Sequence, residues 1–202
     1  MTMKTGHKWI LVRIDGKIAA LSTDYRQLAR ISSTLAKGSD TKLYEKITAT
    51  VIGSEEVWKL KQETTWDDLM LFGTEFQKKV WRKLWELTQP ETDGPQRDRT
   101  INLICYSDFA ELCQNRAGVR AVAHAIGLNP ISVIIPCHLV IPKESIDKIR
   151  NIQKKAEATI FKGDDLCIST ILSDSSIDFG EYALGKGLKR ELILKELIND
   201  PS

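Results

Sequence analysis

No apolar run in this sequence approaches the length of a bilayer span, which argues against a helical membrane protein. Behind the first charges, Lys4 and Lys8, there is no apolar signal core, so a cytoplasmic location without a membrane partner is expected. An excess of one charge is also missing. The 29 Lys and Arg against 27 Asp and Glu leave a formal +2, so any nucleic-acid surface must be local. The four cysteines, Cys105, Cys113, Cys137 and Cys167, form no CxxC pair and none precedes residue 105. That disfavours a disulfide framework and a zinc cage and favours thiols in a reducing compartment, with no metal expected. What remains, 42% hydrophobic and 28% charged over 202 residues, suits one large or two small globular domains.

Trp9–Ile14, Asp15-Gly16 and Lys17–Leu21 read as strand, turn, strand. Tyr25–Leu35 has helical spacing, Leu43–Val51 is mixed, and Glu55–Leu60 is short and ambiguous. Thr74 is a plausible N-cap for a helix from Glu75 to about Leu87, with Phe76, Val80, Trp81, Leu84 and Leu87 as its core stripe. Gln89–Arg99 reads as an exposed loop. Ile146–Ile152 predicts a helix, Leu166–Ile171 a strand, and Gly187–Ile198 a last helix with Leu188, Leu192, Ile193 and Leu197 inward. Lys148, Arg150, Lys154 and Lys155 form a small basic cluster, read as a solvated face rather than a phosphate clamp.

Two stretches carry chemistry. In Asn129–Val140 an apolar run delivers Cys137 and His138 side by side. Val133, Ile134 and Ile135 predict a short buried strand, and Pro136, which has no N–H for a ladder, ends it at the thiol. A cysteine, with a reference pKa of about 8.5, becomes a useful thiolate at neutral pH only beside an electropositive or hydrogen-bonding group. His138 is the nearest candidate. Upstream, Ser107 is expected to cap a short helix with Phe109, Ala110, Leu112 and Cys113 inward. Gln114-Asn115 breaks it, and Ala117–Ile126 follows with Val119, Val122, Ala123 and Ile126 inward. This helix-turn-helix turns Arg116, Arg120, Ala121 and His124 outward. A small-residue face carrying arginine lets a helix approach a narrow phosphate-lined groove, though the same spacing describes a solvated face of a helical hairpin.

Ile135-Pro136-Cys137-His138-Leu139-Val140 resembles the Pro-Cys-His-Arg-Val active site of the O6-alkylguanine-DNA alkyltransferases, the methylated-DNA–protein-cysteine methyltransferases. Phe76 to Trp81 resembles the helix that opens that family's C-terminal domain, and Tyr106 through Asn129-Pro130 to Cys137 keeps the family's spacing. The resemblance spans roughly Thr74–Val140 and Tyr182–Glu196. It implies Cys137 as alkyl acceptor, His138 as its activator through a bound water, Glu196 as the carboxylate orienting His138, and Tyr106 as donor to the departing guanine. It further implies Arg120 as the finger replacing a flipped nucleotide, with Ala121, Arg116 and His124 on the DNA face. Asn129 matches the hinge asparagine, while Val140, Tyr182 and Ala183 would line the guanine pocket. The implied activity is DNA repair by single-turnover transfer from O6-alkylguanine in duplex DNA, without a cofactor and as a monomer.

The implied fold is α+β: a small N-terminal α/β sheet domain over residues 1–67 and a mostly helical domain over 68–202 that holds the helix-turn-helix and the Pro-Cys-His motif. The sequence departs from the family's pattern at three places: Leu139 replaces the motif arginine, about thirty extra residues near 143–178 separate the motif from Tyr182 while Gln89–Arg99 is also longer than usual, and the N-terminal domain has no cysteine for the zinc site of some relatives. In the guanine pocket Ala183 stands where a serine is expected. The competing readings are a silent binder of alkylated DNA with the same fold, a helix-turn-helix regulator, and a Cys-His hydrolase, the last lacking any visible oxyanion hole.

Overall fold

A computed structural model describes residues 6–26, 29, 33, 46–89, 103–157, 170, 171 and 173–198. Most of the expected helix Tyr25–Leu35, the loop beyond Gln89 and Cys167 fall outside them. The chain divides into two compact units, Met1–Gln89 with His124–Cys137, and Pro90–Ala123 with His138–Ser202. The fold class is α+β.

In the first unit, β1 (Trp9–Ile14), β2 (Lys17–Ser22) and β3 (Ile47–Ile52) form an antiparallel sheet in the order β2-β1-β3. The β1–β2 hairpin turns on Asp15 (φ 49°) and Gly16 (φ 84°). Two successive positive φ angles suit the twist of a two-residue hairpin, hence Asp-Gly. The other edge of β2 is not left open. Ile18 bridges Leu69 and accepts from the Met70 amide at 2.8 Å; Leu21 donates to the Pro130 carbonyl at 3.0 Å and accepts from the Ser132 amide at 2.9 Å. The run that leads to Cys137 is thus laced to the N-terminal sheet.

The ambiguous Glu55–Leu60 lies within α1 (Ser54–Glu63). Thr74 caps α2 (Glu75–Glu86) as expected: its hydroxyl accepts from the Gln77 amide and the Gln77 side chain accepts from the Thr74 amide. Val80, Trp81, Leu84 and Leu87 are buried and Phe76 half-buried, and Trp81 Nε1 donates to the Ala125 carbonyl at 2.8 Å. The expected strand Val133–Ile135 is corrected. These residues are buried, but Val133 has φ +72° and the stretch is a tight turn in which Ile135 N donates to Ile131 O and Ser132 bridges Ile135. A β-branched residue at positive φ is strained by about 1–3 kcal/mol and persists only where its surroundings fix it.

In the second unit, β4 (Ile104–Cys105) pairs in parallel with β5 (Val140–Ile141). Helix α3 runs Tyr106–Leu112, so it starts one residue before the expected cap: Cys105 is the N-cap, and Ser107, inside the helix, shares a 3.0 Å hydrogen bond with the Cys105 thiol. Phe109, Ala110 and Cys113 are buried, but Leu112 is 36% exposed rather than inward. Gln114 (φ 57°) breaks the helix. A 3-10 turn, Arg116–Gly118, precedes α4 (Val119–Gly127), which runs across the division between the units. The inserted region begins with α5 (Lys143–Glu157), twice the length expected for it, and α6 (Lys186–Ile198) closes the described chain. Thr170 and Ile171, expected to end a strand, are helical. Cys105, Ile141, Ile146, Ile149, Ile171, Ile177, Phe179 and Ile193 share one core cluster. The insertion therefore brings its own apolar residues into the packing around β5.

Candidate active site

Cys137 opens a 3-10 turn, Cys137–Leu139, and is 6% exposed. Its amide donates to the Ile135 carbonyl at 2.8 Å across Pro136, an arrangement that turns the chain off the preceding bridge. Asn129 is 2% exposed, and its side chain binds the turn at three points. Nδ2 donates to the Ile135 carbonyl at 2.8 Å and to Cys137 Sγ at 3.0 Å, and Oδ1 accepts from the Ile131 amide at 3.1 Å. A donor aimed at sulfur suits a sulfur bearing negative charge better than one bearing a proton. The hinge asparagine expected from the sequence therefore also touches the thiol, which the sequence reading did not anticipate.

The second unit holds the remaining groups. His138 is fully buried, and its Nε2 lies 2.9 Å from Glu196 Oε1 on α6, whose side chain is 19% exposed. With Glu196 a carboxylate, Nε2 carries the proton and Nδ1 is the basic nitrogen. Tyr106 follows β4 directly and is half-buried; Val140, on the paired strand, is fully buried. Tyr182 begins a turn closed by Gly185 N donating to its carbonyl at 2.9 Å, leaving Ala183 exposed. Lys186 pairs with Glu181 at 2.8 Å and Asp178 at 3.8 Å, and its bond to Glu181, then the Asp178 charge, hold its ammonium above the ordinary lysine range. Arg116, Arg120, Ala121 and His124 are all exposed. Leu139 is 2% exposed, so this departure puts an apolar side chain into the core.

One buried group was missed: Lys189 on α6 is 1% exposed, and its Nζ donates to the Val140 carbonyl at 2.8 Å. The signal was present, since Lys189 stands among Leu188, Leu192 and Ile193 on the inward face. Among the described residues no group of three or more His, Cys, Asp or Glu could hold a metal ion, and no helix is long and apolar enough to cross a membrane.

The described residues thus combine a short parallel β-pair, a helix-turn-helix, and a buried cysteine followed in sequence by a carboxylate-bound histidine. Residues 100–158 match the family described as 6-O-methylguanine DNA methyltransferase, DNA binding domain. Among curated proteins, the chain is 46% identical over 78 residues to a "Probable methylated-DNA--protein-cysteine methyltransferase" of Acanthamoeba polyphaga mimivirus, covering 39% of this chain and 45% of that one. It is 45% identical over 69 residues to a methylated-DNA–protein-cysteine methyltransferase of Methanosarcina mazei, covering 34% and 37%. The match thus spans less than half the length of these relatives. The crystal structure of an O6-methylguanine-DNA methyltransferase from Pyrococcus kodakaraensis is similar over 96% of this chain and 93% of that one, with a TM-score of 0.50 at 20% identity. One from Mycobacterium tuberculosis covers 96% of each with a TM-score of 0.50 at 19% identity. These structures share the α+β fold.

Proposed function

We propose that this protein repairs duplex DNA by taking the alkyl group of O6-alkylguanine onto Cys137, once per molecule. The observation that carries the proposal is the Asn129–Cys137 contact together with the His138–Glu196 pair, since the two supply a donor to the sulfur and a base for its proton. Sulfur attacks the saturated alkyl carbon, an S–C bond forms, and the C–O bond breaks with its electrons passing to the purine. The thiol proton goes to His138, through water as the family resemblance implies, and Tyr106 donates to the departing guanine. The thioether product has no easy route back to a thiol, hence one turnover.

The target carbon lies inside a stacked duplex, so the base must be turned out, at a cost of a few kcal/mol that is lower for a poorly paired lesion. Arg120 is proposed to fill the gap, with Arg116, Ala121 and His124 against the groove and Val140, Tyr182 and Ala183 along the base. The family of the matching DNA-binding domain supports duplex DNA as partner. Residues 1–67 are proposed to act as support, in line with the lacing of β2 to Pro130 and Ser132. Leu139 leaves both activating contacts in place, which favours transfer over silent binding. The test is a duplex carrying radiolabelled O6-methylguanine: label should pass to protein up to one equivalent and stop, and Cys137→Ser should take none while still binding the lesion. Continued turnover, or label on Cys137→Ser, contradicts the proposal.

A further inference from the structure

The two stretches proposed above to line the guanine pocket, Val140 and Tyr182-Ala183, are separated in sequence by residues 141–181, which include the insertion. Lys189 joins them. Its buried Nζ donates to the Val140 carbonyl at 2.8 Å and to the Glu181 carbonyl at 3.4 Å, and lies 5.9 Å from the centre of the Tyr106 ring. Lysine is seldom fully buried, and when it is, its amine must be met by acceptors. The two acceptors identified here belong to opposite ends of the excursion. Each carbonyl shares a rigid plane with the next N–H, so fixing Val140 O orients the Ile141 amide and fixing Glu181 O orients the Tyr182 amide.

The surrounding chain is built around the same point. Gly180 has φ +81°, and a Cβ there would lie 3.0 Å from Pro142 Cδ and 3.6 Å from Lys189 Nζ, so the returning segment passes close beside the amine. Farther out, Ser145 Oγ donates to the Asp178 carbonyl at 2.5 Å and Lys148 Nζ to the Ser176 carbonyl at 2.6 Å, tying α5 to the returning segment. These outer bonds close the insertion on itself, whereas Lys189 alone of the three reaches Val140.

We infer that Lys189 is a positioning residue that holds the two backbone walls of the alkylguanine pocket in register across the insertion; this rests on the function proposed above. The test uses full-length wild type, Lys189→Met and Lys189→Arg with an O6-methylguanine duplex. Transfer rate at saturation, affinity for undamaged duplex, melting temperature and amide exchange over residues 179–184 are read together. Lys189→Met should lose roughly tenfold to a hundredfold in saturated rate, because misplacement of about 1 Å has that effect. It should bind undamaged duplex as wild type does and exchange faster at 179–184, and Lys189→Arg should recover part of the rate. Wild-type rate and exchange in Lys189→Met overturn the inference, as does a parallel fall of rate, duplex affinity and melting temperature without rescue by arginine. Should Lys189→Met fail to fold, Lys189→Gln replaces it, with the same readings deciding. A wild type that transfers nothing defeats the proposed function instead, while the exchange comparison still decides whether Lys189 fixes the two walls.

Discussion

Asn129, which meets the Cys137 sulfur, and Glu196, which meets His138, carry separate parts of the proposed chemistry, and each can be removed on its own. Asn129→Ala takes the acceptor from the buried Ile131 amide and leaves the Ile135 carbonyl with the Cys137 amide as its donor. A buried polar group left unsatisfied costs about 1–3 kcal/mol, so denaturant unfolding should show at least that loss. Transfer should slow further than stability explains, because the sulfur loses its donor. Glu196→Gln should slow transfer by roughly a hundredfold or more, the usual scale of a positioned proton acceptor, with lesion binding retained. Equal rates in wild type and Glu196→Gln would remove Glu196 from the mechanism. The pairing of His138 with Glu196, 58 positions apart, was readable only through the family resemblance, since no local pattern reports so distant a contact. Lys189 escaped because a lysine on a helix is ordinarily read as solvated, even where Leu188, Leu192 and Ile193 on the same helix face inward.

Among the elements, the sequence reading succeeded where one local rule dominated. Asp15-Gly16 specifies its turn, and Thr74 with Gln77 specifies the start of α2. Thr74→Ala should cost about 1 kcal/mol, seen as a lower melting temperature with unchanged activity. At the other end of α2, burial pushes the Glu86 carboxyl up, but hydrogen bonds from Lys83 and Arg82 outweigh it and hold the group below its usual range. A depressed carboxyl stabilises the fold above its unfolded pKa, about 4.3, and that contribution fades as pH falls through the folded value. Wild type should therefore melt above Glu86→Gln at neutral pH, the difference closing in acid. The reading failed at Val133–Ile135, where an apolar β-branched run looks like a strand but Asn129 and the Ile131 carbonyl bend it into a turn. It also placed Leu112 inward, whereas the helix ends there in solvent. For the helix-turn-helix, Arg120→Ala should weaken duplex binding and lower the salt slope by about one if the guanidinium meets a phosphate. An unchanged affinity and slope would take Arg120 off the interface.

The whole molecule is less modular than its sequence suggests. A boundary near Asp67 is expected from the sequence, yet Ile18 holds Leu69 and Met70, and Leu21 holds Pro130 and Ser132, so β2 supports the turn that presents the thiol. A chain restricted to residues 68–202 should accordingly lose transfer and cooperative unfolding together; full activity in that fragment would restore the boundary as a functional one. The lacing could not be read beforehand, because backbone hydrogen bonds between remote segments leave no side-chain pattern. The insertion was visible as extra length, but its helical packing around Ile141 depended on Ile146, Ile149, Ile171 and Ile177 meeting one core. All of this bears on a single sulfur atom. The most direct measurement is intact-protein mass spectrometry after incubation with a duplex containing O6-methylguanine, followed by peptide mapping. A gain of one methyl group, placed on Cys137 and absent after incubation with unmodified duplex, is the predicted result; no gain despite tight lesion binding, or a methyl group on another residue, would contradict it.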